Sequence, residues 1–402
     1  MKVLLIDVNC KRSSTGKIVY DLYQELNKNN IEASIAYGRG PKINEKNIYK
    51  FGLDLETIFH MIMTRITGLT GIYSVISTMR LIRYIKKFKP DVVHIHELHA
   101  YFVNLKPLIN HLKKNNIKVI HTFHCEFMYT GKCGHAYECE KFKTLCFKCP
   151  RLKEYPKSLL FDFTKHMYKQ KKKFYKDFDN LTIVTPSKWL LDRVKSSFLK
   201  DKKMLVINNG IDVNVFKPYE TKDLKNKHNL KDEFIVLAVA PHLMSKEKGG
   251  IEVLKIAESL KDENIKFIMI GLDEPDLVNL PNVIALGKTN NQVELAMYYS
   301  LADVFVMLSE RENFPTTCLE SLACGTPIVG YDTGGAKETA PKGYGEFVPY
   351  GDITKIEELI LKEKTEKIFK EKAECVKLGK LLYSKEKMFK EYFRLYETKK
   401  GE

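Results

Sequence analysis

The sequence lacks the features that mark exported and membrane-spanning chains. No run of 18 apolar residues occurs, which argues against a transmembrane helix. The apolar stretch 3–6 near the start is too short for a signal peptide. The chain contains nine cysteines, an odd number, so a framework of disulfide bonds is not indicated. We therefore expect reduced thiols and a cytoplasmic location.

Sequence features of nucleic-acid-binding proteins and of repeat proteins are also missing. No basic recognition helix, zinc finger or aromatic RNA-binding strand is visible, and no internal repeat or low-complexity tract occurs. The segment Arg12–Lys17 lacks the glycine spacing of a Walker A loop. We therefore expect no nucleic-acid partner.

Length predicts two domains. A chain of 402 residues is too long for one hydrophobic core, and 44% hydrophobic with 29% charged residues is typical of a globular protein. The segment 206–212, which leads to Pro218, reads as a hinge. We predict an N-terminal domain over 1–207 and a C-terminal domain over 208–384, with a final helix over 385–402 that packs back on the first domain.

The positive charge lies in the first half of the chain. Residues 1–207 contain 38 Lys and Arg against 18 Asp and Glu, net +20, whereas the remainder contains 28 against 32, net −4. This asymmetry indicates an anionic partner, and we expect the inner leaflet of the cell membrane. Two stretches, 58–89 and 159–178, mix apolar residues with lysines, including Lys171–Lys173. Ordinary amphipathic helices with solvated lysines are the alternative.

Short apolar runs alternate with helical patterns, which predicts parallel α/β architecture. The strands of a first sheet are predicted at 3–7, 32–37, 91–96, 117–123 and 181–185, and those of a second at 234–240, 266–270, 283–286, 304–308, 327–331 and 346–348.

Two glutamates, Glu312 and Glu320, flank a predicted helix start at Pro315. The first N–H groups of a helix and the positive end of its dipole favour a phosphate. Glu312 precedes this site and Glu320 lies on the second turn. Two carboxylates around a phosphate site suit a nucleotide sugar, with Phe314, Pro315, Thr316 and Thr317 beside it.

The block 302–338, which contains these glutamates, Gly325-Thr326-Pro327 and Gly334-Gly335, resembles the E-x7-E signature of the family 4 retaining glycosyltransferases. The resemblance implies a GT-B fold, with two Rossmann-like parallel-sheet domains facing across a cleft. Within the family, the Glu312–Thr317 segment looks like the branch that builds colanic acid and other bacterial surface polysaccharides. It also implies that catalysis requires no metal or other cofactor.

Two glycine-containing loops are further donor-site candidates. Thr15 and Gly16 precede a predicted helix, where Ser14 or Thr15 would cap the helix and Gly16 would let an anion approach. A plain capped turn is the alternative. Lys248, in a Gly-rich helix entry, resembles the family's phosphate-binding lysine, while His242 stands where many members carry Arg. Asn209, in the hinge, is counted with the donor-binding residues.

Histidines follow two predicted strands of the first domain. His124 resembles the family histidine near the donor sugar, although Cys125 replaces the usual Asp. His96 and His99 are predicted to contact the acceptor, with core or rim histidines as the alternative. Closely spaced His and Glu also suit a metal.

Four cysteines, Cys133, Cys139, Cys146 and Cys149, lie in one lysine-rich segment. The Cys146-x2-Cys149 pair is a common zinc-binding spacing, so a structural zinc site is predicted. Free thiols and a redox pair are the alternatives.

Together these residues predict a retaining hexosyltransferase. Glu312, His124 and Lys248 would act at the reaction centre, with UDP- or GDP-sugar as donor and a lipid-linked oligosaccharide as acceptor. The product would be O antigen, capsule or exopolysaccharide, made at the inner face of the membrane. A GT-B nucleotide-sugar epimerase and a zinc-containing non-catalytic binding protein are the alternatives.

Overall fold

A computed structural model describes residues 1–275, 278–289 and 291–398 of the chain. The chain divides into two compact units. Unit 1 contains Met1–Ile207 and Phe389–Glu402, and unit 2 contains Asn208–Met388. No helix in the described ranges has both the length and the apolar character needed to cross a bilayer.

Unit 1 is a seven-stranded parallel sheet with helices between its strands. The strand order is β3-β2-β1-β4-β5-β6-β7. The inner strands are almost fully buried because helices cover both faces of such a sheet. The strands are β1 (Lys2–Asp7), β2 (Glu32–Tyr37), β3 (Ile48–Lys50), β4 (Val92–Ile95), β5 (Lys118–Thr122), β6 (Leu181–Thr185) and β7 (Lys203–Val206), and the helices are α1 (Ser13–Lys28), α2 (Asp54–Thr67), α3 (Val75–Phe88), α4 (Leu105–Lys114), α5 (Thr164–Tyr175) and α6 (Lys188–Lys195).

Unit 2 repeats this architecture with six parallel strands in the order β10-β9-β8-β11-β12-β13. Buried apolar residues on the two faces of this sheet form two core clusters. The strands are β8 (Phe234–Val239), β9 (Ile265–Leu272), β10 (Val283–Gly287), β11 (Val304–Met307), β12 (Ile328–Tyr331) and β13 (Gly345–Val348), and the helices are α7 (Lys222–Lys227), α8 (Gly250–Ser259), α9 (Gln292–Leu301), α10 (Thr316–Ala323), α11 (Ile353–Glu366) and α12 (Lys372–Tyr383). The first residues of the last helix, α13 (Lys385–Glu397), also belong to unit 2.

The last helix, α13, begins in unit 2 and continues into unit 1. In unit 1 the Tyr396 hydroxyl hydrogen-bonds Nδ1 of His94 at 2.7 Å, and Lys118 donates to the carbonyls of Leu395 and Tyr396. This part of α13 therefore packs on β4 and β5. The final four residues of the predicted helix, 399–402, lie outside the described residues.

The predicted α/β fold with two parallel sheets is confirmed, and so are all eleven predicted strands, within one or two residues at their ends. Two edge strands were missed. β3 has only three residues, and β7 begins with lysine in a segment that reads as the approach to the hinge. An edge strand pairs on one side only, so it needs less apolar sequence than an inner strand.

Candidate active site

Each sheet reverses its strand order beside its first strand. The reversal lies between β1 and β4 in unit 1, and between β8 and β11 in unit 2. Ligands of open parallel sheets bind beyond the carboxyl ends of the strands at such a point. In both units, the residues that follow these strands are the ones that the sequence singled out.

In unit 2, helix α10 begins directly after the loop that follows β11. Pro315 is the residue before the helix, with φ −67° and ψ 123°, and no side chain caps the helix start. The sequence placed Pro315 inside the first turn. The structure places it one residue earlier because its ψ is extended. The N–H groups of Thr316 and Thr317 have no acceptor within the helix, so they form the exposed positive end of its dipole.

Glu312 and Lys248 meet in front of this helix. Lys248 Nζ donates to Glu312 Oε1 at 2.6 Å, with 31% and 20% of the two side chains exposed. The loops that carry them are also joined by a hydrogen bond at 3.0 Å from the N–H of Glu310 to the carbonyl of Glu247. The pair places one cation and one carboxylate at the reversal point of the second sheet.

Two glycines permit this approach. Gly249 precedes α8 with φ +77°, and a Cβ there would overlap the carbonyl oxygen of Leu308. Gly334 has φ +66°, and a Cβ there would overlap the carbonyl oxygen of Glu312. The N–H of Gly335 donates to that same carbonyl at 3.0 Å. The loop of Gly334 therefore fixes the backbone of Glu312.

Glu320 lies on the second turn of α10, as the sequence predicted. Its Oε2 accepts a hydrogen bond from the hydroxyl of Tyr299 at 3.2 Å. Burial, together with the negative charge of Glu320, holds the pKa of Tyr299 well above its ordinary value, so the phenol stays a donor. Sequence analysis missed Tyr299, which lies at the apolar end of α9 and carries no motif.

The remaining candidates of unit 2 surround this centre in different ways. Asn209 Nδ2 donates to the carbonyl of Phe314 at 3.0 Å, and the Phe314 ring is buried against Tyr383. These two residues therefore position the loop before α10. His242, with φ +54°, is exposed and lies 2.7 Å from Asp273.

Lys288 also reaches both His242, at 3.0 Å, and Asp273, at 2.8 Å. His242 thus belongs to a mixed-charge group that sequence analysis did not foresee, because its three members come from separate loops.

In unit 1, the predicted histidines lie together at the ends of β4 and β5. His96 Nδ1 and His124 Nε2 are 3.0 Å apart, with the two rings stacked. His96 is 1% exposed, so in this structure it supports His124 and does not face solvent. Burial lowers the pKa of both rings, which favours the neutral imidazole.

His99 pairs with a carboxylate. Its Nε2 lies 2.8 Å from Glu97 Oε2, and the Cys125 thiol lies 3.4 Å from the same oxygen. Burial alone would raise the pKa of Glu97, but the charge and hydrogen bond of His99 lower it to about 2. Burial would lower the pKa of His99, but Glu97 raises it well above its ordinary value. Possible ligand atoms of these three residues lie within 4.8 Å of one another, a spacing that also suits a cation.

Thr15 is joined to the same cluster through Asp7, whereas Gly16 packs against Asn9. Thr15 Oγ1 donates to Asp7 Oδ2 at 3.4 Å, and the N–H of Glu97 donates to Asp7 Oδ1 at 3.1 Å. Burial raises the pKa of Asp7 to about 7.

The predicted cap by Ser14 or Thr15 is wrong. α1 already begins at Ser13, so both residues lie inside its first turn, and Ser13 Oγ accepts from the N–H of Gly16 at 3.3 Å.

The predicted lysine face of α5 is partly wrong. Lys171 is buried and donates to the carbonyls of Phe127 and, at 3.1 Å, Thr130. Burial lowers the pKa of this lysine to about 7. Sequence analysis counted it among lysines that face the membrane or, in the alternative, solvent, because helical periodicity does not reveal what the neighbouring loop presents to the helix.

Unit 1 instead exposes an apolar patch on α2, α3 and the loop after the cysteine segment. The N–H of Leu159 donates to the carbonyl of Arg65 at 2.8 Å, which joins the loop to the end of α2. The exposed fraction reaches 83% for Leu55, 60% for Ile76 and 67% for Leu160. The patch consists of Leu55, Ile58, Phe59, Ile62, Ile66, Val75, Ile76, Met79, Leu159, Leu160, Phe161 and Phe163.

Two family models match the chain. The one described as Glycosyltransferase Family 4 matches residues 15–215, and the one described as Glycosyl transferases group 1 matches residues 220–380. Together they cover both units and include Thr15, His124, Lys248 and Glu312.

Individual proteins show the same relationship. The chain is 26% identical over 317 residues to WcaC of Escherichia coli K12, whose name describes a putative glycosyl transferase of colanic acid biosynthesis. The matched residues cover 77% of this chain and 76% of WcaC. It is 34% identical over 158 residues to the N,N'-diacetylbacillosaminyl-diphospho-undecaprenol α-1,3-N-acetylgalactosaminyltransferase of Campylobacter jejuni, over 36% of this chain and 41% of the relative.

A solved structure is similar in fold. Anabaena HepE in complex with UDP-glucose has a TM-score of 0.68 at 12% identity, covering 98% of this chain and 99% of the other.

Proposed function

Since the chain belongs to glycosyltransferase family 4 and has the paired parallel sheets of GT-B enzymes, we propose that its donor is a UDP- or GDP-linked hexose. The observation that carries this proposal is the Lys248–Glu312 pair in front of the uncapped start of α10. The acceptor would be a hydroxyl of a lipid-linked oligosaccharide, and the product a cell-surface polysaccharide. The anomeric configuration of the donor would be retained.

The diphosphate would lie between Lys248 and α10. The ammonium of Lys248 and the N–H groups of Thr316 and Thr317 supply positive charge from two directions. Negative charge grows on the leaving phosphate as the glycosidic bond breaks. Donors already aimed at that position lower the barrier because they need no reorganisation.

The carboxylates would bind the two ends of the donor. Glu320, held by the Tyr299 hydroxyl, would accept the ribose hydroxyls. Glu312, fixed through the Gly334 loop, would accept sugar hydroxyls beside the reacting carbon. With donor bound, the phosphate would share the charge of Lys248 and leave Glu312 free to accept from the sugar.

In the transfer step, the bond between the anomeric carbon and the phosphate oxygen breaks, and a bond to the acceptor oxygen forms on the same face. The acceptor proton passes to the leaving phosphate oxygen. His124, buried and neutral by its lowered pKa, would orient the donor sugar, with His96 behind it. Thr15 and Gly16 would contact the donor, and His99 would border the acceptor. No metal or other cofactor enters this step.

The surface of unit 1 supports the proposal of a lipid-linked acceptor. Its apolar patch adjoins Arg65, Arg80 and Arg83 on α2 and α3. An apolar face beside cations favours an anionic bilayer, to which each nearby cation adds about 1 kcal/mol. We place the enzyme at the inner face of the cell membrane on this basis. The names of the E. coli and C. jejuni relatives support a polysaccharide product and a polyprenyl-diphosphate-linked acceptor.

Thermal unfolding with a panel of UDP-, GDP- and ADP-sugars tests the donor. A donor at 100 times its Kd should add about 2.7 kcal/mol to the free energy of unfolding. Glu320→Gln should reduce that stabilisation. A panel in which no nucleotide sugar stabilises the protein would contradict the proposal.

Incubation of the identified donor with lipid-linked oligosaccharides tests the transfer, and NMR of the product gives its anomeric configuration. Release of free or epimerised sugar without transfer would favour the epimerase alternative. A product of inverted configuration would overturn retention alone.

A further inference from the structure

The segment 123–163, between β5 and α5, is long for a connection and has little regular structure. Its one regular element is the short 3-10 turn Lys141–Lys143. Connections longer than about 12–15 residues without secondary structure are uncommon in compact domains and are usually functional. Something other than helix or strand pairing must hold this segment in place.

Buried charges hold part of it. Glu126 pairs with Arg193 at 2.6 Å. Lys132, itself 1% exposed, donates to the carbonyls of Leu152 at 2.9 Å and Glu154 at 2.8 Å. These contacts fix the segment near Glu126 and Lys132 and again near Leu152 and Glu154. The cysteines Cys139, Cys146 and Cys149 lie between these two fixed parts.

Four of the five cysteines in this segment, Cys133, Cys139, Cys146 and Cys149, line one small cavity. Its volume is about 20 Å³, which matches a single water-sized or ion-sized body. The N–H of Gly131 donates to Cys146 Sγ at 3.2 Å. Backbone N–H groups directed at sulfur stabilise thiolates, the form that binds metals.

The charges around the cavity also suit a metal thiolate. Four thiolates and one Zn²⁺ carry a net charge of about −2. Lys132 and Lys141 both line the cavity. Lys141 donates to the carbonyls of Phe147 and Lys148, at 3.1 and 2.8 Å, and so also fixes the turn between Cys146 and Cys149.

We propose that Cys133, Cys139, Cys146 and Cys149 bind one structural zinc ion that holds the segment 123–163 in place. A tetrahedral site with Zn–S bonds of about 2.3 Å requires sulfurs about 3.8 Å apart. Among the described residues, one group of three or more possible metal ligands already has its ligand atoms within 4.8 Å of one another, and it consists of Glu97, His99 and Cys125. The four thiols of the proposed site do not form such a group. Binding of the ion would therefore draw the four thiols closer together, into the cavity that they line.

The site has a consequence for unit 1. Downstream of Cys149, the hydroxyl of Tyr155 lies 3.3 Å from His99 Nδ1, and Leu159 is hydrogen-bonded to the end of α2. The zinc ion would anchor the segment that supplies both contacts. It is a positioning site, which leaves the donor residues of unit 2 unaffected.

Metal analysis of the full chain, purified without chelator and without a metal-affinity step, tests the proposal. We expect one zinc per chain. Replacement of zinc by Co²⁺ should give the strong thiolate-to-cobalt absorption of a tetrahedral site. Loss of a group outside the ligand shell costs about 10–100-fold in metal affinity, so Ser at any of the four cysteines should cost more than ~100-fold. Cys375→Ser, at a buried cysteine of unit 2, should keep the metal.

Wild-type protein provides the decisive result if the serine variants do not fold. Absence of zinc and of the cobalt absorption would overturn the proposal, and so would a disulfide among the four cysteines in mass spectra. Chelation should speed proteolysis of the segment 123–163 while leaving stabilisation by the nucleotide sugar intact. The zinc site and the donor site can therefore fail independently.

Discussion

At the scale of single residues, Lys248 and Glu312 neutralise each other at 2.6 Å, although they are 64 positions apart in the chain. An ion pair that remains one-third to one-fifth exposed contributes little to folding stability. Its value lies in placing two opposite charges at the start of α10, where a phosphate and a sugar would compete for them.

Glu312 and Glu320 should fail in different ways when changed to glutamine. Glu312 would contact the reacting sugar, so Glu312→Gln should mainly lower kcat. Glu320 would bind the ribose equally before and during reaction, so Glu320→Gln should mainly raise the donor KM. Loss of a charged hydrogen bond, worth roughly 1.5–3 kcal/mol, corresponds to about a 10- to 150-fold increase in the donor KM of Glu320→Gln. Steady-state kinetics with the true acceptor measures both effects.

Two neighbouring changes serve as controls for this pair. Glu310→Gln, in the same loop as Glu312, should leave both constants near wild type. Tyr299→Phe removes the donor to Glu320 and should raise KM less than Glu320→Gln does. Wild-type kinetics from both glutamine variants would refute the donor-site assignment.

At the scale of elements, helices α2, α3 and α5 differ in how their amphipathic patterns are used. On α5, Lys171 turns inward to cap loop carbonyls, so its replacement by Glu would report on folding and not on membranes. On α2 and α3 the apolar residues of the patch remain exposed. An exposed apolar patch of this extent on one face marks an interaction surface.

The patch should govern binding to anionic vesicles. Ile58→Asp combined with Ile62→Asp removes two half-exposed apolar side chains from α2. Each buried isoleucine is worth about 1.5–3 kcal/mol when fully buried, so the double change should weaken vesicle binding at least ~10-fold. Vesicle co-sedimentation measures the effect.

Leu381→Asp is the matched control, since Leu381 is 66% exposed on α12 of unit 2. It should bind vesicles as wild type does. If both variants lost vesicle binding equally, or if neither variant lost it, a specific role of the patch in membrane binding would be excluded.

At the scale of the whole molecule, the two units differ in their buried titratable groups. Burial lowers the pKa of His60 to about 4 and that of His121 to about 3, and it also lowers those of His94, His96 and His124. All five histidines belong to unit 1. Each binds its proton more readily when the chain unfolds, so stability falls as the pH drops below about 6.5.

Asp7 acts in the opposite direction. Its pKa is raised to about 7, so below that pH the folded state gains a proton and stability rises until the unfolded pKa near 3.9. His121 and Asp7 each change stability by about 1.4 kcal/mol per pH unit, with opposite sign. The effect of one histidine on the free energy of unfolding therefore cancels that of Asp7. The other four histidines make the net stability fall as the pH drops.

Unit 1 should thus lose thermal stability between pH 6.5 and pH 5. Trp189, the single tryptophan, lies on α6 of unit 1, so its fluorescence reports the unfolding of that unit. Asp7→Asn removes the opposing carboxyl and should steepen the loss. A midpoint that rises over this interval, or an unchanged slope in the variant, would contradict the assignment.

The sequence by itself determined the two parallel sheets, because short, mainly apolar runs alternate with helical patterns along the chain. It also placed Glu312 in the loop before α10 and Glu320 on the second turn of that helix, since both lie within one loop and two helical turns. Such features depend on neighbours in the chain, and the chain order records them directly.

Only the tertiary structure decided which residues meet across the chain. The Lys248–Glu312 pair, the hydrogen bond from Tyr299 to Glu320, and the approach of Thr15 to Asp7 join segments that no periodicity links. The burial of Lys171 is of the same kind. The reason is physical: a strand or helix forms from local spacing, whereas a contact between loops depends on the strand order of the sheet, which brings distant strand ends to one edge.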